Sequence, residues 1–144
     1  MKVRDAMTAH PVTCAPETTL RDAARMMRET DCGALPVVGP DGYPIGVVTD
    51  RDITIRAVAE GAGGDSRVEL CMSMPAFTVG EDDELGQCIE MLEERQIRRA
   101  IVVDGDGHCS GMIAVADIAS HASKRTTGEL TEMVSRPPHP SMAV

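Results

Sequence analysis

Thr49 and Asp52 stand three residues apart at the end of the apolar run Gly46-Val47-Val48. A hydroxyl and a carboxylate at that spacing suit two kinds of chemistry. They can cap a helix start, with the threonine hydroxyl as the cap and an acid in the first turn. They can also hold a ligand. N–H groups at a helix start favour an anion such as phosphate, and a carboxylate one turn on accepts from neighbouring hydroxyls. On these residues alone both readings stay open. Gly46 to Val48 reads as a buried strand, and the stretch from Asp52 to Val58 has helical spacing, so the pair sits at a strand-to-helix switch.

No catalytic set accompanies it. There is no Ser-His-Asp or Cys-His arrangement with a supporting pattern, no defined pair of acids and no Gly-x-x-x-x-Gly-Lys loop, so no enzymatic activity is expected. The five cysteines (Cys14, Cys32, Cys71, Cys88, Cys109) form no C-x-x-C pair, and His10, His108, His121 and His139 are scattered. Small packing residues and surface histidines account for them, and no metal site is expected.

The chain has 144 residues, 42% hydrophobic and 26% charged, enough for one good core or two small halves. Tyr43 and Phe77 are its only aromatics, so the core must be aliphatic, with ten methionines as filler. The same scarcity removes base stacking, and a net charge of −9 argues against a nucleic-acid or anionic-membrane surface. No apolar run reaches the ~20 residues that cross a bilayer, and no signal-peptide core follows Met1, which makes the cytoplasm the expected location.

A shift of 65 positions aligns the sequence with itself without a gap. Met7 meets Met72, Thr13 meets Thr78, Leu20 meets Leu85, Met26 meets Met91, and Val37-Val38 meets Val102-Val103. Asp41-Gly42 meets Asp106-Gly107, Gly46 meets Gly111, and Asp52-Ile53 meets Asp117-Ile118. The chain is therefore two copies of one motif, residues 1–60 and 66–124, joined by a Gly-rich linker at 61–65. Each copy reads β-α-β-β-α. The first has an extended stretch at 11–14, a helix from Thr18 or Thr19 through Met27, strand Ala34–Val38, a Pro40-Asp41-Gly42 turn, strand Ile45–Val48 and the helix after Thr49. The second has Ala76–Val79 extended, helix Asp83–Arg95, strand Ala100–Val103, turn 104–107, strand Gly111–Val115 and helix Ala116–His121. A short helix over Lys124–Ser135 and a Pro-rich tail complete 125–144. The fold class is mixed α/β (α+β), with the two copies expected to pack sheet to sheet about a pseudo-twofold axis.

The tandem unit, with Gly-h-h-Thr-x-x-Asp between its last strand and helix, resembles a pair of CBS domains, a Bateman module, over nearly the whole chain. Met27-Arg28-Glu29, Gly33 to Val38 and the Asp-Gly turn are also typical, and the chain is similar to stand-alone bacterial CBS-pair proteins, including the hypoxic-response type. The resemblance implies a regulatory module that binds AMP, ADP, ATP, NAD or S-adenosylmethionine and needs no catalytic cofactor. It implies a first site with Thr49 on phosphate, Asp52 on the ribose hydroxyls, Ala76, Phe77 and Ile97 against adenine, and Arg98-Arg99 near phosphates. It implies a second site with Asp117, Val12, Cys32, Gly33 and Arg98. Ala114 stands there in place of the hydroxyl, so the second site is expected to be the weaker. A homodimer and an unknown protein target are also implied.

Two alternatives stand beside this reading. Arg95, Arg98 and Arg99 can instead pair with Glu90, Glu93 and Glu94 on a solvated helix end. A protein of another class, a redox- or metal-responsive interaction protein, could use the same scaffold with vestigial nucleotide sites and its cysteines and histidines as sensors.

Overall fold

The computed structural model describes residues 1–121, and side chains through residue 119. The helix and tail expected over 124–144 lie outside the described residues. Two compact units form: Pro11–Phe77, and Met1–His10 together with the described residues from Thr78 on.

In the Pro11–Phe77 unit, helix α2 (Leu20–Thr30) begins where the Thr19 hydroxyl accepts the Asp22 N–H at 3.1 Å. It ends at Asp31, whose left-handed backbone (φ 51°) lets its N–H return to the carbonyls of Met27 and Arg28. Leu20, Ala23 and Met27, one face of that helix, are buried. Strands β2 (Ala34–Val38) and β3 (Pro44–Thr49) form an antiparallel hairpin in which Ala34 faces Thr49 and Val37 faces Gly46. The core is Leu20, Ala23, Met27, Leu35, Val37 and Val48, closed by Ala57, Val68, Cys71 and Met72.

The extended stretch expected at 11–14 is reduced to one parallel bridge, Cys14 with Val37. The Cys14 N–H reaches the Pro36 carbonyl at 3.0 Å and Val38 returns a bond at 2.8 Å, but Pro36 has no N–H for the next rung. In the second copy Ile101 stands at that position, and a true strand forms.

The other unit carries β1 (Thr8–Ala9), β4 (Thr78–Gly80), β5 (Arg99–Val103) and β6 (Cys109–Ala114), in the order β1-β6-β5-β4, with β4 parallel to β5. Helix α4 (Leu85–Arg95) buries Leu85, Cys88, Ile89 and Leu92 and ends at Gln96, left-handed at φ 53° like Asp31 in the first copy. It starts two residues later than the expected Asp83, because the Asp83 carboxylate accepts the Gly80 N–H at 2.8 Å and belongs to the turn.

The sequence copies and the packing units are not the same stretches. Helix α1 (Val3–Ala6) docks beside the start of the second copy's helix, with the Val3 N–H on the Asp83 carbonyl and the Leu85 N–H on the Met1 carbonyl. A 3₁₀ turn at Val68–Leu70 repeats those bonds on the first copy: Val68 donates to Thr18 and Leu20 to Ser66. Each unit is thus completed by the residues at the head of the other copy.

The aliphatic core follows from the composition. Tyr43 is 46% exposed and Phe77 is half-buried, so neither fills a core. After Thr49 the single helix expected from spacing divides into three: α3 (Asp50–Asp52), a π segment (Ile53–Ala57) and a 3₁₀ turn (Val58–Glu60). The run Ile53-Thr54-Ile55 is β-branched, and the Thr54 hydroxyl donates to the Asp50 carbonyl at 3.0 Å, both of which disfavour a regular α-helix. Helix α5 (Val115–His121), with Ala116 and Ala119, stays α-helical.

Candidate functional site

Strand β3 delivers Thr49 with extended backbone (φ −118°, ψ 162°), and the chain turns into helix at Asp50. The pair then caps reciprocally. The Asp52 N–H donates to Thr49 Oγ1 at 3.0 Å, and the Thr49 N–H donates to Asp52 Oδ2 at 3.0 Å. Thr49 and Asp52 are only 3% and 6% exposed. The capping role is therefore realised. It also holds the hydroxyl and carboxylate rigid, and it leaves Asp52 Oδ1 toward the Arg56 guanidinium, 3.7 Å away.

Ala76 and Phe77 reach this turn's strand through Gly46. Ser73 pairs with Val47 in both directions, at 3.1 and 2.8 Å, and the Ala76 N–H donates to the Ile45 carbonyl at 3.0 Å. A Cβ on Gly46 would lie 2.2 Å from the Ser73 carbonyl oxygen, so only glycine admits the segment. Thr49, Asp52, Ala76 and Phe77 thus belong to one unit, as do Val12, Cys32 and Gly33 of the expected second site. Val12 and Cys32 are exposed, and Gly33 accepts the Asp50 N–H at 3.0 Å.

Ile97, Arg98, Arg99 and Asp117 belong to the other unit, where Ile97 is buried and Arg98 exposed. The Asp117 carboxylate accepts the Ala114 N–H at 2.8 Å, but Ala114 has no side-chain oxygen to return the bond: half of the box survives. Arg98 and Arg99 flank this turn. The Val115 N–H donates to the Arg98 carbonyl at 3.0 Å, and Arg99 faces Ala114 across the ladder. The corresponding pair in the first copy is Ala34 opposite Thr49. The small alanine thus lies beside an arginine in the second copy and the hydroxyl beside an alanine in the first. Arg99 Nε is buried without a hydrogen-bond partner among the described residues. Arg56 and Ser73 were not singled out from sequence. The only signal was that Arg56 stands one helical turn after Asp52.

Burial holds four of the five thiols protonated. Burial pushes Cys14 and Cys88 up to about 11, and burial also raises Cys71 and Cys109. A thiol held protonated is a poor nucleophile. Cys32 is the exposed cysteine. Brief iodoacetamide treatment of the native protein at neutral pH is expected to label Cys32 at least about tenfold faster than Cys14, Cys71 or Cys88, read by peptide mass spectrometry. Rapid labelling of a buried cysteine would contradict the packing. Among the described residues, one group of metal-capable side chains converges, Asp104, Asp106 and His108, within 4.8 Å of one another in the β5–β6 turn. Asp104 Oδ1 accepts the Asp106 and His108 N–H groups there, which is ordinary turn chemistry.

No helix among the described residues is long and apolar enough to cross a membrane. The chain is 32% identical to the CBS domain-containing protein YhcV of Bacillus subtilis (strain 168) over 134 residues, 92% of this chain and 94% of that protein. It is 33% identical to Hypoxic response protein 1 of Mycobacterium tuberculosis (strain ATCC 25618 / H37Rv) over 136 residues, 93% and 94% of the two chains. The crystal structure of Hypoxic Response Protein I with two coordinated zinc ions superposes with a TM-score of 0.75 at 33% identity, covering 85% of this chain and 100% of that one. CBSX2, solved in complex with AMP, gives 0.72 at 25% identity, covering 84% and 95%. The CBS-domain family model matches twice, at residues 3–58 and 67–124, each match containing one of the two strand-to-helix turns: the chain belongs to the CBS-domain family, as a tandem pair.

Proposed function

We propose that this chain is a non-catalytic regulatory module that binds an adenosyl nucleotide at the Thr49 turn. The observation that carries the reading is the buried, reciprocally bonded Thr49–Asp52 pair, in a fold whose relative CBSX2 is solved with AMP. Thr49 meets phosphate, Asp52 accepts from the ribose diol, and Ala76 and Phe77 contribute apolar surface for adenine. In the other unit Asp117 with Arg98 and Arg99 forms the second, weaker half-site, in which a guanidinium supplies what the missing hydroxyl cannot. Ile55 and Val58, 46% and 60% exposed on the run after Asp52, are the surface on which we place a homodimer contact.

Calorimetric titration with AMP, ATP, NAD and S-adenosylmethionine tests the reading. One of them is expected to bind with micromolar affinity, about −8 kcal/mol, at a single dominant site. Absence of heat with all four would overturn it.

A further inference from the structure

One side chain at the Thr49 turn, Arg56, takes no part in the helix cap. Asp52 Oδ2 is taken by the Thr49 N–H, and the Arg56 guanidinium covers the Oδ1 side at 3.7 Å. The same Arg56 nitrogen reaches Ser73 Oγ at 3.3 Å. Ser73 is fixed in turn by its two backbone bonds to Val47. Cys71, buried beside this group, registers the arrangement: burial raises its thiol most, the Asp52 charge raises it further, and the Arg56 charge lowers it. Arg56 therefore stretches from the carboxylate proposed for ribose to the segment that carries Ala76 and Phe77.

A carboxylate with an 8% exposed side chain needs compensation for its charge. Arg56 provides it from the open side, with 53% of its own side chain exposed. A ribose diol would bring two hydroxyl donors to the same carboxylate. We infer that Arg56 is the ligand's stand-in: a positioning residue that occupies the Oδ1 side of Asp52 until a diol displaces it, and so sets the affinity of this site by competition. The inference rests on the adenosyl reading above. The long exposed arm can swing away without disturbing the core. The second copy carries other residues at these positions. Four residues after Asp117 the sequence has His121, and the counterpart of Ser73 is Thr8.

Adenosine is the probe, because it has the diol but no phosphate that the Arg56 charge could attract. Wild type, Arg56→Met (which keeps an unbranched stem) and Arg56→Lys are titrated calorimetrically, with circular dichroism to verify folding. Adenosine is expected to bind Arg56→Met about two- to fivefold more tightly than wild type, the scale of a half-exposed ion pair, and Arg56→Lys close to wild type. On an Asp52→Asn background the Arg56→Met gain is expected to vanish. Equal binding by wild type and Arg56→Met would overturn the inference while leaving the nucleotide reading intact. Weaker binding by Arg56→Met would also overturn it, by showing that Arg56 supports the ligand. No adenosine binding by any of the proteins, with no heat from the nucleotides, would remove the nucleotide reading and this inference with it.

Discussion

Replacement of Gly46 by alanine is expected to destabilise the protein by about 3 kcal/mol, the upper range for a group forced into filled space. The alanine Cβ would sit 2.2 Å from the Ser73 carbonyl oxygen, with Met74 at 3.2 Å. The oxygen is backbone, and it accepts the Val47 N–H, so it cannot step aside as a side chain would. Relief requires the 72–77 segment to lift off β3, which breaks the two Val47–Ser73 bonds and the Ala76–Ile45 bond, each worth about 1 kcal/mol. The matching glycine of the second copy supplies an internal control. A Cβ on Gly111 would meet Met7 Sδ at 2.6 Å and the Thr8 carbonyl at 3.0 Å. The thioether can rotate, so Gly111→Ala is expected to cost less, about 1 kcal/mol. Thermal unfolding of both variants checks this. Gly46→Ala should lower Tm by roughly 10 °C and Gly111→Ala by a few degrees. Equal shifts would mean that the Ser73 carbonyl does not press on β3.

The same glycine separates what local sequence sets from what it does not. The 65-residue shift, the hairpins and the Thr49 turn were legible because local chemistry sets them: Thr-x-x-Asp caps, Asp-Gly turns and alternating apolar strands. The partner of Gly46 was not. Why a glycine stands in that strand depends on Ser73, 27 positions away, and nothing near Gly46 in the chain encodes that approach. The packing units were hidden for the same reason. Val3 and Val68 look like ordinary apolar residues at the head of their own copies, yet each docks on the turn before the other copy's helix. The shortened strand at Cys14 was partly legible, since Pro36 is visible in the sequence and its missing N–H ends the ladder. The Arg56 contact with Asp52 was visible as an i,i+4 spacing, but its second arm, to Ser73, was not.

Asp52→Ala has the largest expected effect on binding. A ribose diol that donates to a carboxylate makes charge-assisted bonds worth about 1.5–3 kcal/mol each, so loss of both predicts at least a hundredfold weaker nucleotide binding. The same change strips the Thr49 N–H of its acceptor, and with Thr49 3% exposed that costs about 1–2 kcal/mol of stability. The two losses must be separated, because the helix cap and the proposed ribose contact use the same carboxylate. Asp52→Asn separates them. Its amide oxygen can still accept the Thr49 N–H, so stability should stay within about 1 kcal/mol of wild type, while the missing charge should weaken AMP binding about tenfold. A ligand-side change closes the cycle: 2′-deoxy-AMP should bind wild type more weakly than AMP does, and the two should bind Asp52→Ala alike. The opposite experiment belongs to the second copy. Ala114→Thr supplies an oxygen within one turn of the Asp117 N–H, and if Thr49 marks the stronger site for the reason given, it should both stabilise the fold and raise occupancy there. Should Asp52→Ala melt earlier yet bind AMP as tightly as wild type, the pair is a helix cap alone and the nucleotide sits elsewhere.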